Sequence, residues 1–347
     1  MRVYYRPVPV SAFEASDAAL PLSGGWLFFD KIEVLQRGQT PRIVDAGVAR
    51  AEMGAETWSR LTSARAPVAG LTLDRPRLMG ILNVTPDSFS DGGRFGTRDA
   101  ALAQARALAG AGTDILDIGG ESTRPGAAEV PEADEIARIV PVIEALRGAG
   151  LDQVISIDTR KSAVARAALE AGGDIVNDVS GLRFDPALAG LVAETGAPLI
   201  VMHSRGTPET MQSMTAYDDA LLDVYDALEQ AVVDAEARGI PRARILVDPG
   251  IGFAKRDPEN LALLRRLSLF HALGCGILLG VSRKGFIGRI AGIDEAASRD
   301  PASAALGLWA VMQGVQVLRV HECDMQQHVL SLAAALGGVR GGLIFNE

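Results

Sequence analysis

The stretch PRLMGILNVTPDSFSDGG, residues 76–93, decides the fold. Its apolar run, 78–84, reads as a strand buried on both faces, yet the turn that follows holds no G-x-G-x-x-G. A doubly wound dinucleotide fold should carry that glycine fingerprint after its first strand. From Pro76 onward, short apolar runs alternate with Ala/Leu-rich amphipathic segments, the rhythm of βα units. Strands are predicted at 78–84, 115–119, 154–158, 174–177, 199–203, 245–248, 277–281 and 317–320. Helices are predicted at 99–110, 133–147, 161–171, 186–195, 217–238, 258–267, 301–312 and 325–336. Near-continuous apolar strands such as PLIVM (198–202) and GILLGV (276–281) suit a parallel sheet covered on both faces. Eight such units in about 260 residues predict an α/β fold, a closed (β/α)8 TIM barrel.

Residues 1–76 break the rhythm. Pro7, Pro9, Pro21, Pro41 and Pro67 punctuate them; 2–10 and 26–35 read as strands, and 46–64 has helical spacing. We expect an N-terminal extension of mixed structure, 1–76, ahead of a catalytic barrel, 77–347. No chemistry is legible in the extension.

Bulk composition narrows the function. The net charge is −9 over 347 residues, whereas a non-specific nucleic-acid binder needs a basic surface to displace phosphate counterions. Any anion site must be local, built from a few Arg, Lys and backbone N–H groups. Cys275 and Cys323 have no metal spacing and read as buried thiols. The stretch HECDMQQH, 321–328, lacks the H-E-x-x-H spacing of a zinc helix. The start MRVYYRPVPV has no apolar signal core, and no window has the ~18 uninterrupted apolar residues of a membrane span. A cytoplasmic protein with no membrane or nucleic-acid partner is expected.

The unusual polar residues cluster at the C-terminal ends of the predicted strands. In chain order these are Asn83, the run Gly119–Gly126 (GGESTRPG), Asp158, Asn177 with Asp178, Met202 with His203, Asp248, Ser282–Lys284, and Arg319 with His321. In a (β/α)8 barrel those ends share one mouth. Each alone has a plain reading as a cap, turn or solvated charge; together they define a site. Asp158, Asn177 and Asp248 suit a planar heterocycle rich in N–H donors, such as a pterin. Lys284 could donate to a ring nitrogen or carbonyl. Arg319 and His321, two apart on one strand, point the same way. With Asn83 and Mg²⁺ they could hold a diphosphate, because an amide oxygen is a hard ligand suited to that ion. Arg283 could add an anion contact or stack on a flat aromatic partner.

Residues 79–93 (MGILNVTPDSFSDGG) and 114–127 (DILDIGGESTRPGA) resemble the two signature segments of the dihydropteroate synthase family. So do ISIDTRKS (155–162), IVNDVSG (175–181), DPGIGFAK (248–255), GVSRKGFIG (280–288) and RVH (319–321). The resemblance covers 76–336. It implies a barrel, usually a homodimer, that condenses 6-hydroxymethyl-7,8-dihydropterin diphosphate with p-aminobenzoate. It assigns the pterin to Asp158, Asn177, Asp248 and Lys284, with Met202, Phe253 and Gly280 lining the pocket. It assigns the metal to Asn83, the diphosphate to Arg319 and His321, and p-aminobenzoate to Phe89, Thr123, Arg124, Pro125, Ser282 and Lys284. Asp91 matches an acid near a developing cation. Expected catalytic groups are Asn83, Asp91, Lys284, Arg319 and His321, with Mg²⁺ as cofactor and an SN1-like path. Pterin-dependent methyltransferases share the barrel and its Asp/Asn pocket and are the rival; the S-R-K and R-V-H segments favour the synthase.

Overall fold

The computed structural model describes residues 2–84, 93–124 and 126–337. Phe89, Asp91 and Pro125 lie outside the described residues.

The extension comes first: β1 (Tyr4–Pro7), β2 (Leu20–Pro21), β3 (Phe28–Phe29), β4 (Lys31–Leu35), β5 (Arg42–Asp45), α1 (Ala46–Glu52) and α2 (Ala55–Thr62). Strands β1, β4 and β5 form an antiparallel sheet, and β2 pairs with β3. The single helix predicted over 46–64 is two, because the chain is extended at Met53 and Gly54.

The barrel follows as β6 (Arg77–Asn83), α3 (Gly93–Gly110), β7 (Ile115–Gly119), α4 (Glu132–Gly148), β8 (Val154–Asp158), α5 (Ser162–Glu170), β9 (Ile175–Asp178), α6 (Leu188–Thr195) and β10 (Leu199–Met202). It closes through α7 (Ala220–Ala237), β11 (Ile245–Asp248), α8 (Asp257–Arg265), β12 (Gly276–Gly280), α9 (Gly285–Ala291), α10 (Asp300–Val311), β13 (Val317–Val320) and α11 (Cys323–Gly337). The eight strands β6–β13 form one closed parallel barrel in chain order, with β13 pairing back to β6. This is the (β/α)8 barrel that the apolar rhythm predicts.

Alternation along each strand sorts the side chains. Leu116, Ile118, Ile155, Ile157, Val176, Val201 and Leu279 join the large core under the helices. The opposite parity faces the barrel axis. Its lower layer is apolar: Met79, Ile115, Val154, Ile175, Ile200, Leu246, Leu278 and Val317 form a cluster of their own. Val68 and Leu73, near the end of the extension, belong to that cluster. One step higher the same parity carries polar groups, and there the site begins.

The extension is part of this core. Tyr4, Trp26, Phe29 and Ile32 belong to the same buried cluster as Tyr225, Phe270 and Leu273 of the barrel. Trp26 Nε1 donates to Val311 O at 3.1 Å, and Arg65 donates to the carbonyls of His271 and Cys275, both at 2.9 Å. Phe29 is fully buried, and truncating such a ring removes its transfer energy and leaves a cavity. Phe29→Ala is therefore expected to lower whole-protein stability by about 3–5 kcal/mol in urea unfolding, as one cooperative transition. A separate early transition would show the extension to be an independent unit.

Candidate active site

Strand pairing brings the predicted residues together. Asn83 is in register with Gly119, Gly119 with Asp158, and Asp158 with Asn177. Met202 pairs with Asp248, and Gly280 with Arg319. Asn83, Asp158, Asn177, Met202, Asp248, Gly280 and Arg319 thus ring one end of the barrel. Gly119 and Gly280 leave room inside the ring: a Cβ at Gly119 would sit 3.3 Å from that of Asp158.

The floor is an acid–base cluster. Arg319 donates through Nε to Asp117 Oδ2 at 2.6 Å and through a terminal nitrogen to Asp158 Oδ2 at 2.8 Å. Asn177 Nδ2 donates to Asp117 Oδ1 at 3.2 Å. Asp158 Oδ1 is buried and has no hydrogen-bond partner among the described residues, and neither has Ser156 Oγ one pleat below. An unpaired buried carboxylate oxygen is costly. Burial pushes the Asp158 carboxyl up to about 7, even with the Arg319 charge opposing the rise.

Sequence reasoning missed Asp117. It is fully buried, and its carboxylate accepts from the Asn177 amide, which fixes the side-chain orientation. Its signal was present: in Ile115, Asp117, Gly119 the acid shares the inward parity that the strand-end residues follow. Arg319, read from sequence as a diphosphate group, spends two donors on these carboxylates and keeps the rest of its fork.

Asp248 forms the opposite wall. Its Oδ1 accepts from Gly250 N at 2.7 Å, and burial raises its pKa while the nearby Lys284 charge opposes that. Lys284 Nζ lies 4.6 Å from the centroid of Phe253 and donates to Ile251 O. Burial pulls Lys284 down to about 8.

On the lip, Ser282 Oγ accepts from the backbone N–H of His321 at 3.2 Å and lies 2.9 Å from its Nδ1. With that N–H already donated to it, the Ser282 hydroxyl can donate to Nδ1, which leaves Nε2–H as the outward donor. Burial, then the charges of Arg283 and Arg319, drag His321 down to about 3, so the imidazole is neutral. Arg283, expected as an anion contact or a stacking platform, is held by an acid. It adopts φ +58° and forms a two-pronged pair with Asp300, both contacts at 2.7 Å.

Thr123 and the exposed Arg124 stand on the loop after β7. Glu121 anchors that loop, accepting from Arg160 Nε at 3.0 Å, Lys161 Nζ at 3.1 Å and Val130 N at 2.8 Å. Lys161 is also paired with Glu135 at 2.8 Å. Four buried charges thus brace the base of the Thr123–Arg124 segment, and sequence reasoning did not single them out. Asp178, a strand-end acid, makes a turn instead, accepting from Ser180 N and Leu182 N at 2.7 and 2.6 Å.

A family model described as pterin binding enzyme matches residues 79–321. The chain belongs to that family. Its likeness within the family is to dihydropteroate synthases. It is 44% identical over 262 residues to the dihydropteroate synthase of Synechocystis, covering 76% of this chain and 90% of that protein. It is 49% identical over 263 residues to a probable bifunctional folylpolyglutamate synthase/dihydropteroate synthase of Haloferax volcanii, spanning 76% of this chain but only 30% of that longer protein. The solved dihydropteroate synthase of Xanthomonas albilineans in complex with 7,8-dihydropteroate superposes with a TM-score of 0.72 at 41% identity, over 80% of this chain and 100% of that one. The match places this chain among the transferases of folate synthesis. No helix among the described residues is long and apolar enough to cross a membrane.

Proposed function

We propose that this chain condenses 6-hydroxymethyl-7,8-dihydropterin diphosphate with p-aminobenzoate, releasing 7,8-dihydropteroate and diphosphate, in the cytoplasm and as a homodimer. The observation that carries the proposal is the unpartnered Asp158 Oδ1, on the same ring of strand ends as Asn177 and Asp248. Three acceptors around one slot fit a flat ring whose edges carry N–H groups. The 7,8-dihydropteroate held by the Xanthomonas enzyme has such a ring.

The chemistry asked of the chain is modest. The pterin can delocalise positive charge onto its exocyclic methylene, so C–O cleavage precedes attack by the arylamine. The buried carboxylates of Asp158 and Asp248 lie where they can stabilise that cation. The remaining Arg319 donors and the His321 Nε2–H suit the departing diphosphate. Ser282 orients His321 rather than acting as a nucleophile. Lys284, held over Phe253, bridges the pterin and p-aminobenzoate positions, and Thr123, Arg124 and Ser282 border the second of these. Asp91, Phe89 and Pro125 enter on the family resemblance alone.

Mg²⁺ fits the donor chemistry at the mouth. No group of three or more His, Cys, Asp or Glu that could hold a metal occurs among the described residues. Mg²⁺ needs no such cage, since it keeps waters and shares the oxygens of an anion. Asn83 would be its protein ligand, and the ion would neutralise leaving-group charge. Homodimer formation is supported by exposed apolar side chains on the packed helices α10 and α11 and just beyond: Trp309, Met312, Leu332 and Leu336.

The test is purified protein with the pterin diphosphate, p-aminobenzoate and Mg²⁺, read by mass spectrometry. Dihydropteroate formed in step with diphosphate is the expected result. Diphosphate release indifferent to p-aminobenzoate, or no product, overturns the proposal.

A further inference from the structure

We propose that Lys255 is a positioning residue for pterin recognition: its ammonium clasps the segment after β11 to the end of β10 and so holds Asp248, Phe253 and Met202 at the ring. The inference rests on the pterin function proposed above.

Lys255 is 3% exposed, and no carboxylate among the described residues lies within ion-pair distance of it. A lysine is rarely buried unless paired, and burial pulls this one well below its ordinary pKa, with the Asp248 charge opposing the fall, so its contacts need a reason. Nζ meets His203 Nδ1, Gly250 O and Phe253 O, each at 2.9 Å, with His203 O further off at 3.3 Å. An ammonium has three N–H groups, and three acceptors stand at the shorter distance. Burial, reinforced by the Lys255 charge, holds His203 well below its ordinary pKa, so Nδ1 of a neutral ring is free to accept.

Those acceptors sit on the two strand ends that build one wall of the pocket. His203 follows Met202 and donates its N–H to Asp248 O at 2.9 Å. Gly250 donates to the Asp248 carboxylate and turns at φ +66°. A Cβ on Gly250 would stand 1.9 Å from His203 O, so the segments touch with no side chain between them. Phe253, the third acceptor residue, carries the ring beneath Lys284. One amine therefore ties two points of the irregular loop after β11, Gly250 O and Phe253 O, to His203 at the end of β10. Thr123, Arg124 and Ser282, on other loops, receive nothing from it.

Removing the clasp should loosen the pterin wall more than the p-aminobenzoate wall. Steady-state kinetics of the full chain with both substrates, and calorimetric pterin binding, test this in Lys255→Met, His203→Asn and His203→Phe. Lys255→Met is expected to raise the pterin diphosphate KM and the pterin Kd by about tenfold to a hundredfold, since a displacement of ~1 Å at a site has effects of that order. The p-aminobenzoate KM should rise less, because of its groups only Lys284 rests on the clasped loop. His203→Asn keeps a polar atom near the Nδ1 position and should remain close to the parent; His203→Phe should resemble Lys255→Met. Equal rises in both KM values, or lowered Tm with both KM values unchanged, overturn the clasp. If Lys255→Met does not fold, the His203 pair decides: identical pterin KM values for Asn and Phe overturn it. Parent protein that makes no dihydropteroate overturns the proposed function and the clasp with it, whereas normal turnover without the KM split overturns the clasp alone.

Discussion

Arg319→Met is expected to abolish dihydropteroate formation and to destabilise the fold by about 3–5 kcal/mol at neutral pH, the usual cost of removing one partner from a buried ion pair. Two carboxylates depend on this guanidinium, Asp117 at 2.6 Å and Asp158 at 2.8 Å. Without it both would be buried beside each other with no counter-charge. The loss should be pH-dependent in a defined sense. Burial already pushes Asp158 up to about 7, far above an ordinary aspartate, and deleting the cation raises it further. A carboxyl whose folded pKa exceeds its unfolded one binds protons preferentially in the folded state, so stability falls as pH rises from the unfolded towards the folded pKa. The variant should therefore regain stability between pH 7 and pH 5 more steeply than the parent. Urea unfolding at several pH values measures this. A gap between the two proteins that is constant with pH would mean that Asp117 and Asp158 do not carry the unpaired charge.

What was legible in the sequence follows from periodicity. Parallel strands buried on both faces are short, apolar and separated by amphipathic helices, so the eight barrel strands stand out, several to the residue: Ile115–Gly119, Val154–Asp158, Ile245–Asp248 and Val317–Val320. Polar residues at strand ends are conspicuous against that background, which is why Asp158, Asn177, Asp248 and Arg319 were found. Asp117 was not, because an acid in mid-strand looks like an interruption until the parity of its neighbours is counted. Lys255 was quoted within a motif and given no role, since a lysine in a loop reads as solvated and only the fold shows three carbonyl and imidazole acceptors closing on it. Helix α9 was missed for a local reason. Gly285 and Gly288 disfavour helix, but Gly288 has no space for a side chain, with a Cβ there 2.4 Å from Ile293 O. The extension was opaque because its strands are two to five residues long, and its sides are set by contacts with the barrel, not by its own pattern.

Asp248→Asn should separate activity from stability. The parent carboxylate has Oδ1 fixed by Gly250 N–H at 2.7 Å and Oδ2 turned towards the open space at Gly280, where a Cβ would stand 3.9 Å away. A ring presenting an amino group and a ring N–H side by side needs two acceptors. The amide supplies one, and its NH2 then opposes a donor. Losing a charge-assisted bond and gaining a donor–donor contact should cost about 3 kcal/mol or more in kcat/KM for the pterin, at least about a hundredfold. The fold has the opposite interest. Asp248 is buried, its pKa is raised by that burial, and no cation lies within ion-pair distance among the described residues. A raised folded pKa means that the ionised form weakens the native state at neutral pH. Asparagine keeps the bond from Gly250 and removes the charge, so the variant should unfold at an equal or higher urea concentration than the parent at pH 7. The gap should close as pH falls and the parent carboxyl is protonated. Arg319→Met and Asp248→Asn thus make a pair: both cost turnover, one by stranding buried charge and the other by neutralising it. An Asp248→Asn protein that is less stable than the parent and retains its pterin KM would show that this carboxylate serves the scaffold and not the ring.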